Sequence, residues 1–600
     1  MTSARAVSKT VLSVSRFFPD ERHPEPRLSL GDIQDLSSAP SAFYASLVQA
    51  LARELAGEFN LRPAAAATLA REPAVILSHI FLDRFLRLHR MIERDGASHL
   101  AVAQTPPFQP PPQIERLSAA ASSSSQFNAD MIARVASIWE LESLPDPEPA
   151  PPSPPARPIA NLNFILDPEL ARRLRWKLSR VSSRLWGRVP ALGLAYAEWC
   201  FLDRGLVGPG RLADLHRVLE QAVKTPDAAL RRRRLIPAIQ ETAPSLGALM
   251  HRWGLPAERV DRAIRCYEEY FCRFYPSSRL EDIPVHFPYA LERLRPYAPK
   301  PLLLSIVGDT HTAYMLAAAK ALGMPVIGVQ HGAHYGFAGH ACYLELEMAH
   351  FDRFVSWGPG RLPQHPLCQN IPVTPLPSPW LSERRLWWRR ELRRREQPEF
   401  DALLVTDRLQ RFPPALNTLR LSRIDLLEHA AAWLDETASA LADKGLSMLH
   451  KPFNALSAEL IQSTIDRLRS RLGAGYRVWE RLDKGLSPEL IRKGRLVIWD
   501  EPGTGLFECM AAGIPTLLYW KRDVSREEPY AEGLFAELEK AGIAHRDPAS
   551  LAAAAASIKA SAESWLADPA RQAAIEKACR DYARVSDDWP REWRAFLAAL

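Results

Sequence analysis

The stretch that decides the fold is Leu302–Gly336, which reads LLLSIVGDTHTAYMLAAAKALGMPVIGVQHGAHYG. Two short apolar runs, Leu302–Val307 and Pro325–Val329, flank the segment Thr310–Leu322, which is rich in the helix formers Ala, Leu, Met and Lys. Gly323 is a stop signal for that helix. Two buried strands joined by a crossover helix form a parallel β-α-β unit, so the stretch predicts an α/β protein.

Polar residues follow both predicted strands of this stretch. Asp309 and His311 come after the first strand, and Gln330, His331 and Gly332 come directly after the second. Ligands of open parallel sheets bind beyond the carboxyl ends of the strands, so these residues form a candidate site. Histidine takes up a proton near neutral pH, which makes His331 a candidate catalytic base, with Asp309 as the second candidate. His311 would cap the helix or orient Asp309, and the alternative for His331 is a side chain that locks its loop by hydrogen bonding.

Length and composition indicate a multidomain globular protein. The chain has 600 residues, of which 47% are hydrophobic and 24% charged. This length is too great for one core, so two or three domains are expected. The net charge of +7 is mild, and no nucleic-acid-binding motif accompanies it, which argues against nucleic acid as a partner. A basic surface against anionic lipid, or sites for anionic nucleotides, explains the charge equally well.

Cysteine usage and hydropathy point to the cytoplasm. The seven cysteines are an odd number without the paired spacing of a metal site, which is typical of a reducing compartment. The apolar run near the N-terminus is short and interrupted, unlike a signal peptide. No stretch approaches the roughly 20 apolar residues of a membrane span. We therefore expect a soluble cytoplasmic protein, with peripheral contact to the inner membrane as the alternative.

Three regions follow from the pattern along the chain. Residues 1–158 predict a helix-rich N-terminal region that ends in the Pro-rich linker Pro145–Pro158. Residues 159–380 are expected to form a first Rossmann-like domain and residues 381–600 a second, with the last helix packing back on the first domain. The prediction is therefore an α/β fold with two parallel-sheet domains that face a cleft, preceded by a helical extension.

Helical and basic patterns fill the first half of the chain. Ser41–Phe59 and Val75–Ile92 place apolar residues at helical spacing. Leu170–Leu185 and Arg231–Arg234 are rich in arginine. Both basic stretches predict solvated helix faces, with contact to a membrane or to an anionic partner as the alternative.

The second half of the chain alternates short apolar runs with helical segments. One further strand, Arg353–Val355, is expected in the first sheet, and Arg384–Arg395 predicts a very basic helix. The strands predicted for the second sheet are Phe400–Val405, Met448–His450, Tyr476–Trp479, Leu496–Trp499 and Pro515–Tyr519. Lys451 follows the second of these strands directly.

A second polar segment, Asp500–Trp520, reads DEPGTGLFECMAAGIPTLLYW. Gly503 and Gly505 bend the backbone before a helix, and the exposed amides of a helix N-terminus suit a phosphate group. Glu508 lies about one turn inside the helix, where a carboxylate accepts hydrogen bonds from ribose hydroxyls. The segment therefore predicts a nucleotide site at the edge of the second sheet.

This segment resembles the nucleotide-sugar-binding segment of glycosyltransferases with the GT-B fold. The second half of that pattern is matched by Glu508, Met510, Ala511, Gly513 and Pro515. The first half departs, because six residues separate Glu501 from Glu508, whereas the retaining members have seven between their two glutamates. Seven residues do separate Asp500 from Glu508. Either Asp500 takes the first acidic role or the loop is rebuilt.

Five motifs in a fixed order narrow the resemblance. They are Gln330-His331-Gly332 with Tyr335-Gly336, then Trp357-Gly358, then Leu376-Pro377-Ser378-Pro379, then the Glu508 segment, and a terminal Trp589 and Trp593 pair. Together they resemble the LIC-type family of transferases for bacterial surface carbohydrates and, more distantly, the β-Kdo transferases and the CDP-glycerol-type polymerases. The resemblance covers about residues 300–600.

The resemblance implies roles for individual residues. The second domain would bind the donor and the first the acceptor, and Asp309 would be a nucleophile by analogy with the β-Kdo enzymes. Lys451 would offset the charge of the donor phosphate without a metal. The donor-binding set that it implies is Gln330, Gly332, Lys451, Asp500, Glu501, Gly503, Thr504, Gly505 and Glu508.

The function expected on these grounds is metal-independent transfer of a sugar from a nucleotide-activated donor to a glycan or lipid-linked acceptor of a bacterial surface polysaccharide. No cofactor is implied, because the nucleotide sugar is a substrate. A CDP-polyol phosphotransferase of the same fold is one alternative. A non-catalytic protein that binds nucleotide or carbohydrate is the other, although the presence of Asp309, His331, Lys451 and Glu508 favours an enzyme.

Overall fold

The architecture is taken from a computed structural model. It describes residues 11–13, 28–95, 99–102, 107–145, 191–194, 207–209, 228–337, 341–362, 365–392, 397–409, 426–482, 488–522 and 527–600. The predicted linker lies outside these residues apart from Pro145, as do the basic stretch Leu170–Leu185 and the predicted boundary at residue 158.

A small parallel sheet stands at the N-terminal end of the protein. Its strands, in spatial order, are β1 (Val11–Ser13), β2 (His99–Val102) and β3 (Glu142–Pro145). This sheet was not predicted, because its strands are three or four residues long and carry little alternation to distinguish them from loops.

The first large sheet has six parallel strands and contains the stretch that decided the fold. Its strands are β4 (Ala191–Leu194), β5 (Val207–Pro209), β6 (Leu302–Leu304), β7 (Val326–Val329), β8 (Arg353–Ser356) and β9 (Val373–Pro375), in the spatial order β5-β4-β6-β7-β8-β9. The predicted strands β6, β7 and β8 are confirmed. The other three strands, β4, β5 and β9, were missed. The two at the edges, β5 and β9, have three residues each and end in proline, a residue that sheets tolerate at their edges.

The second large sheet also has six parallel strands. They are β10 (Phe400–Val405), β11 (Met448–Lys451), β12 (Tyr476–Val478), β13 (Gly494–Trp499), β14 (Thr516–Tyr519) and β15 (Ala544–His545). Their spatial order is β12-β11-β10-β13-β14-β15, which is the dinucleotide-fold order 3-2-1-4-5-6. The prediction of two Rossmann-like parallel sheets is therefore confirmed.

Helices cover the sheets and build the N-terminal region. The first group is α1 (Leu30–Ser38), α2 (Ser41–Phe59), α3 (Pro63–Asp95), α4 (Ile114–Ser123), α5 (Ser125–Ala136), α6 (Ala228–Arg233), α7 (Leu235–Arg252), α8 (Ala257–Phe274), α9 (Ile283–Leu294), α10 (Thr310–Leu322) and α11 (Ala341–Leu346). The second group is α12 (Pro379–Leu392), α13 (Leu426–Asp443), α14 (Ala455–Leu460), α15 (Gln462–Leu472), α16 (Pro488–Lys493), α17 (Thr504–Ala512), α18 (Glu532–Lys540), α19 (Pro548–Ala560), α20 (Ala562–Leu566), α21 (Pro569–Tyr582) and α22 (Trp589–Ala598).

The N-terminal helices share a core with the first large sheet. One cluster of buried apolar side chains runs from Leu28 to Cys368 and includes residues of α2, α3, α8 and α10. The last helix, α22, lies on the same sheet, where Trp589 and Trp593 pack with Leu303 and Val355. A second core forms around β10–β15 and their helices.

One helix is more apolar than the sequence reading allowed. Among the described residues, α3 is long and apolar enough to cross a membrane, but 89% of its apolar window is buried inside the protein, as is usual for a core helix. Its buried Asp83 pairs with Arg84 and Arg87 of the same helix. The apolar length of α3 is therefore used for packing.

Side chains of the four-arginine run Arg231–Arg234 contact other segments of the protein, so the run is more than a solvated helix face. Arg231 Nη1 donates to the Glu281 carbonyl oxygen at 3.1 Å, and Arg232 Nη1 donates to the Cys272 carbonyl oxygen at 2.8 Å. Arg234 pairs with Glu58 of α2. These contacts connect the start of α7 to neighbouring helices.

Candidate active site

The carboxyl edges of the two large sheets meet at one place. The Ala333 backbone N–H, in the loop after β7, donates a hydrogen bond of 3.2 Å to Thr504 Oγ1 at the start of α17. A second contact lies next to this one, where the Phe337 ring is stacked on the Phe507 ring at a centroid distance of 6.1 Å. The loop predicted for catalysis therefore touches the helix predicted to bind the donor phosphate.

Each sheet reverses its strand order at one position, where open α/β sheets bind their ligands. In the second sheet this position lies between β10 and β13, and there Asp500 Oδ2 accepts a hydrogen bond of 2.7 Å from the Asp407 N–H. In the first sheet it lies between β4 and β6, and the backbone of Ser305, directly after β6, hydrogen-bonds the His331 imidazole. Predicted site residues thus lie at both positions.

Gln330 supports the loop after β7. Its side chain is fully buried, Nε2 donates to the Gly332 carbonyl oxygen at 2.8 Å, and Oε1 accepts from the Trp357 N–H at 2.7 Å. These two bonds hold the loop after β7, and the donor-binding role of Gln330 stays a prediction. Packing explains why position 332 is a glycine, because a Cβ there would lie 2.6 Å from His334 Cε1.

His331 is half-buried and held by its own domain. Its Nδ1 lies 2.6 Å from the Tyr335 hydroxyl, and the ring is also hydrogen-bonded to the Ser305 backbone. Burial lowers the pKa of His331 to about 4, so the imidazole is neutral at physiological pH. This is the form that accepts a proton, and the loop-locking contacts predicted as the alternative are present at the same residue.

Asp309 caps the crossover helix α10. Its Oδ1 accepts a hydrogen bond of 2.7 Å from the Thr312 N–H, which is the usual N-cap geometry. The cap is therefore Asp309 and not His311, which is buried one residue inside the helix. Glu115 binds the same helix end, where its Oε2 accepts from Thr310 Oγ1 at 3.1 Å.

A buried ion pair lies beside this helix end. Arg279 and Glu72, both nearly inaccessible, are bonded to each other. Burial raises the pKa of Glu72 to about 7, and the nearby carboxylates of Glu115 and Asp309 add to the rise while Arg279 opposes it. The carboxyl edge of the first sheet is therefore rich in carboxyl groups, and one of them, Glu72, titrates near neutral pH.

Lys451 lies at the end of β11, where it was predicted. Its ammonium is buried and donates to the carbonyl oxygens of Pro452 at 2.6 Å and Phe453 at 2.9 Å. These two bonds hold the Lys451 ammonium, and therefore its N–H donors, close to the edge of the sheet. The preceding His450 is enclosed between Thr406 and Tyr476, and burial lowers its pKa to about 3, so it takes no part in the edge.

The N-terminus of α17 has the form expected for an anion site. Gly503 is its N-cap residue and has no side chain to cap the first N–H groups of the helix. Glu501 Oε1 lies 3.7 Å from the position that a Gly503 Cβ would take, so this acid borders the turn. Thr504 uses its hydroxyl to bind Ala333, and Gly505 faces the core, where a Cβ would lie 2.1 Å from Trp499 Cη2.

Glu508 has protein partners that the sequence did not indicate. Its Oε1 accepts from Arg384 Nε at 2.8 Å and from Trp388 Nε1 at 2.5 Å, both on α12. The Arg384 guanidinium lies over the rings of Trp387 and Trp388, 4.5 and 5.0 Å from their centroids. Glu508 therefore binds α12 to α17, and its ribose contact stays a prediction.

Several residues of this region were missed as site residues. They are Glu72, Glu115, Arg279, Glu347, Arg384 and Asp407. They were missed because each either contacts the site only through segments that are distant in the sequence or belongs to a helix without a recognisable motif. Tyr335 belongs to the motif that begins at Gln330, but its bond to His331 was not predicted, because it depends on the 3₁₀ turn Ala333–Gly336.

The arrangement combines two chemical capacities. The first edge presents a neutral imidazole and a group of carboxyls, which are proton-handling groups. The second edge presents Lys451 and an uncapped helix N-terminus, which bind anions. Among the described residues, no group of three or more His, Cys, Asp or Glu side chains is arranged to hold a metal ion. Metal independence stays a prediction.

The fold is α/β, with two Rossmann-like parallel sheets whose carboxyl edges are in contact. A family model described as LIC12162 family transferase matches residues 244–597, more than half of the chain. The protein therefore belongs to the LIC12162 family of transferases, and it is an enzyme.

Two further comparisons were made with known proteins. A solved structure of MurG from Acinetobacter baumannii is similar over 52% of this chain and 78% of MurG, with 14% identity and a TM-score of 0.29. A similarity of that size does not bear on the activity. No curated protein matches the sequence.

Proposed function

We propose that this transferase is a metal-independent glycosyltransferase that uses a nucleotide-activated sugar. The observation that carries the proposal is the hydrogen bond from the Ala333 N–H to Thr504 Oγ1. It joins the loop of a neutral, half-buried histidine to the N-terminus of a helix suited to phosphate. A transferase in which this loop touches this helix end could bind an activated phosphate at the helix and accept a proton from the loop.

In the proposed reaction, an acceptor hydroxyl oxygen forms a bond to the anomeric carbon of the donor sugar. The bond between that carbon and the phosphate oxygen breaks, and its electron pair leaves with the nucleotide. The hydroxyl proton goes to His331. The negative diphosphate beside the imidazole favours its protonated form, which raises its pKa from the low value of the ligand-free protein. If Asp309 is the nucleophile instead, its carboxylate takes the sugar first and passes it to the acceptor.

The donor would lie on the second sheet. Lys451 would balance the charge of the leaving phosphate, Gly503 and Thr504 would present backbone N–H groups to it, and Glu508 would hold the ribose. Asp500 and Glu501 border the same turn. The carboxyl-rich first edge would face the acceptor, for which we propose a glycan or lipid-linked precursor of a bacterial surface polysaccharide, used in the cytoplasm or at the inner membrane.

The first test is thermal stabilisation of the purified full-length protein by CMP, CDP, UMP, UDP, GDP and ADP, each with and without Mg²⁺. A ligand that binds only the folded protein raises the melting temperature. We expect one cytidine or uridine nucleotide to stabilise the protein without metal. The absence of stabilisation by every nucleotide at millimolar concentration would contradict a nucleotide-sugar donor and leave a carbohydrate-binding protein as the better reading.

A second measurement separates the two transferase classes. Release of nucleotide from the matching nucleotide sugar, or from CDP-glycerol, is followed with the same protein. Release of a nucleoside diphosphate from a nucleoside-diphosphate sugar, or of CMP from a CMP-sugar, supports glycosyl transfer, and release of CMP from CDP-glycerol would support the phosphotransferase.

A further inference from the structure

Arg408 lies in a fixed loop at the carboxyl edge of the second sheet. The N–H groups on either side of it are bonded, because Asp407 donates to Asp500 Oδ2 at 2.7 Å and Leu409 donates to Ser457 Oγ at 3.0 Å. The loop follows β10, and the strand order of the sheet reverses beside this strand, where ligands of such sheets bind. The backbone at Arg408 is therefore held where a ligand is expected.

The Arg408 guanidinium has no bonded partner in the part of the chain that the structure describes. The residue is exposed, and its side chain forms no hydrogen bond or ion pair there. The surrounding protein nevertheless lowers its pKa by desolvation, which the neighbouring Asp407 carboxylate opposes, and an arginine stays charged despite such a shift. Lys451 differs, because two of its N–H groups are bonded to backbone carbonyl oxygens. Arg408 thus brings a positive charge with available donors to this edge.

Phe453 is an exposed aromatic residue on the next loop. It is 41% exposed, and only Val285 and Leu600 are comparably exposed among the large apolar residues that the structure describes. Its ring is paired with no other aromatic ring and no cation within those residues. Its carbonyl oxygen accepts from Lys451 Nζ at 2.9 Å, which fixes the backbone after β11. An exposed ring on a fixed backbone suits stacking with a planar ligand.

The Ser457 hydroxyl connects these two loops. It accepts from the Leu409 N–H at 3.0 Å and donates to Asn454 Oδ1, also at 3.0 Å. Leu409 follows Arg408 in the chain, and Asn454 follows Phe453. The exposed guanidinium and the exposed ring therefore belong to neighbouring loops that one hydroxyl group holds together.

We propose that Arg408 and Phe453 recognise the nucleotide of the donor, an inference that rests on the proposed function and adds two residues to its donor side. The planar guanidinium matches the geometry of phosphate oxygens and binds the phosphate. The Phe453 ring stacks on the base, a contact that every base can make. Asp500, which holds the Arg408 loop, leads into the turn before α17, so Arg408 and the N-terminus of that helix bind the same phosphate.

The first test measures the Arg408 contact by isothermal titration of the full-length protein. The probe is whichever of CMP, CDP, UMP, UDP, GDP and ADP stabilises the wild-type protein most. Arg408→Met should lower its affinity about tenfold to a hundredfold, the contribution of a hydrogen bond to a charged group. Arg594→Met, at an exposed arginine of α22, is the matched control and should leave the affinity unchanged. Equal affinity in the wild type and Arg408→Met would overturn the proposal.

Salt separates a charge contact from a general loss of structure. Ions screen the attraction between guanidinium and phosphate, so the deficit of Arg408→Met should shrink between about 0.1 M and about 1 M sodium chloride. Arg408→Lys keeps the charge and should retain part of the affinity, because an ammonium lacks the bidentate geometry. A deficit that is equal at both salt concentrations, and equal in the Met and Lys variants, would contradict a phosphate contact.

The second test measures the Phe453 contact with the same nucleotide. Phe453→Ala should lower the affinity about tenfold, the usual loss when an aromatic residue that stacks on a base is truncated. Phe453→Tyr keeps the ring and should keep the affinity, and Val285→Ala, on α9, is the control for removing an exposed apolar side chain. Unchanged affinity in Phe453→Ala would overturn the stacking role, as would an equal loss in Phe453→Tyr.

The two proposals fail in different ways. Both residues are exposed, so Arg408→Met and Phe453→Ala should unfold in urea at the wild-type midpoint. If no nucleotide stabilises the wild-type protein, the proposed function is contradicted, and the recognition pair falls with it. If a nucleotide binds the wild type and neither variant weakens it, only the recognition pair is contradicted.

Discussion

Both large sheets have six parallel strands, but the groups at their carboxyl edges differ in chemistry. At the first edge, His331 is held by side chains of its own domain and is neutral. At the second edge, Lys451 is held by backbone carbonyl oxygens, and the helix N-terminus after Gly503 presents backbone N–H groups. Side chains supply the chemistry of the first edge and the backbone supplies much of the second. Under the proposed function, the first domain would accept the proton and the second would bind the anionic donor.

The largest effect is expected at the first edge. His331→Ala should lower turnover by roughly 10²- to 10⁴-fold, the usual contribution of a positioned acid or base. Because His331 lies on the first sheet, thermal stabilisation by the nucleotide should persist in this variant. Turnover close to the wild-type rate would remove His331 as the base and would leave it as a residue that locks the loop.

The next effect concerns the ion pair of Glu508 and Arg384. Glu508→Ala should lower the free energy of unfolding by about 3 kcal/mol, because the guanidinium and the Trp388 N–H lose their partner inside the protein. Urea unfolding measures this loss. Arg384→Met breaks the same pair and keeps Glu508, so it is the matched control for donor binding. If Glu508 binds ribose, only Glu508→Ala reduces stabilisation by the nucleotide; equal stabilisation in both variants would assign Glu508 to helix packing alone.

At the second edge, Lys451→Met should weaken nucleotide binding about tenfold to a hundredfold, because a hydrogen bond to a charged group contributes roughly 1.5–3 kcal/mol. Isothermal titration of the nucleotide measures the change. Lys577, which pairs with Glu537 on the surface, provides a control as Lys577→Met and should leave affinity unchanged. Equal affinity in the two variants would place the phosphate elsewhere and remove the contrast between the edges.

The smallest effect is expected from a change in the first turn of α17. Gly505→Ala would place a methyl group 2.1 Å from Trp499 Cη2, and Trp499 is fixed by its 2.9 Å bond to Thr516. We expect a loss of about 1–3 kcal/mol in unfolding free energy from overpacking. Gly533→Ala, on α18 with open space around it, should be neutral or stabilise by about 0.5–1 kcal/mol. A loss of similar size at both positions would indicate a helix effect unrelated to Trp499.

The elements that the sequence predicted share one property, which is that their signals are local. The helices Ser41–Phe59 and Thr310–Leu322 have the predicted bounds because apolar spacing and terminal glycine or asparagine lie within the segments. The strand Phe400–Val405 is likewise as predicted, since it is a short apolar run. The edge strands Val207–Pro209 and Val373–Pro375 lack such a signal, because pairing with a neighbour defines them.

In the candidate site, too, the sequence located the features with a local signal and missed those that depend on distant segments. Asp309, His331, Lys451 and the Gly503 turn lie at strand or helix ends that the sequence located. The sequence did not predict the long-range contacts of this region. Glu508 is hydrogen-bonded to Arg384, which is 124 residues away in the chain, and Ala333 is hydrogen-bonded to Thr504, which is 171 residues away. The contacts of Gln330 were likewise not predicted, because its burial and its bond to the loop depend on the folded chain.

The sequence by itself determined the α/β class, the two parallel sheets, the family resemblance and the sheet edges at which chemistry is expected. Only the tertiary structure decided which polar groups are buried, which way their pKa values shift, and that the Tyr335 hydroxyl contacts both His331 and Glu347. The reason is physical. Apolar periodicity and helix caps act over a few residues, whereas burial, pKa and hydrogen-bond partners depend on segments that meet only when the chain is folded.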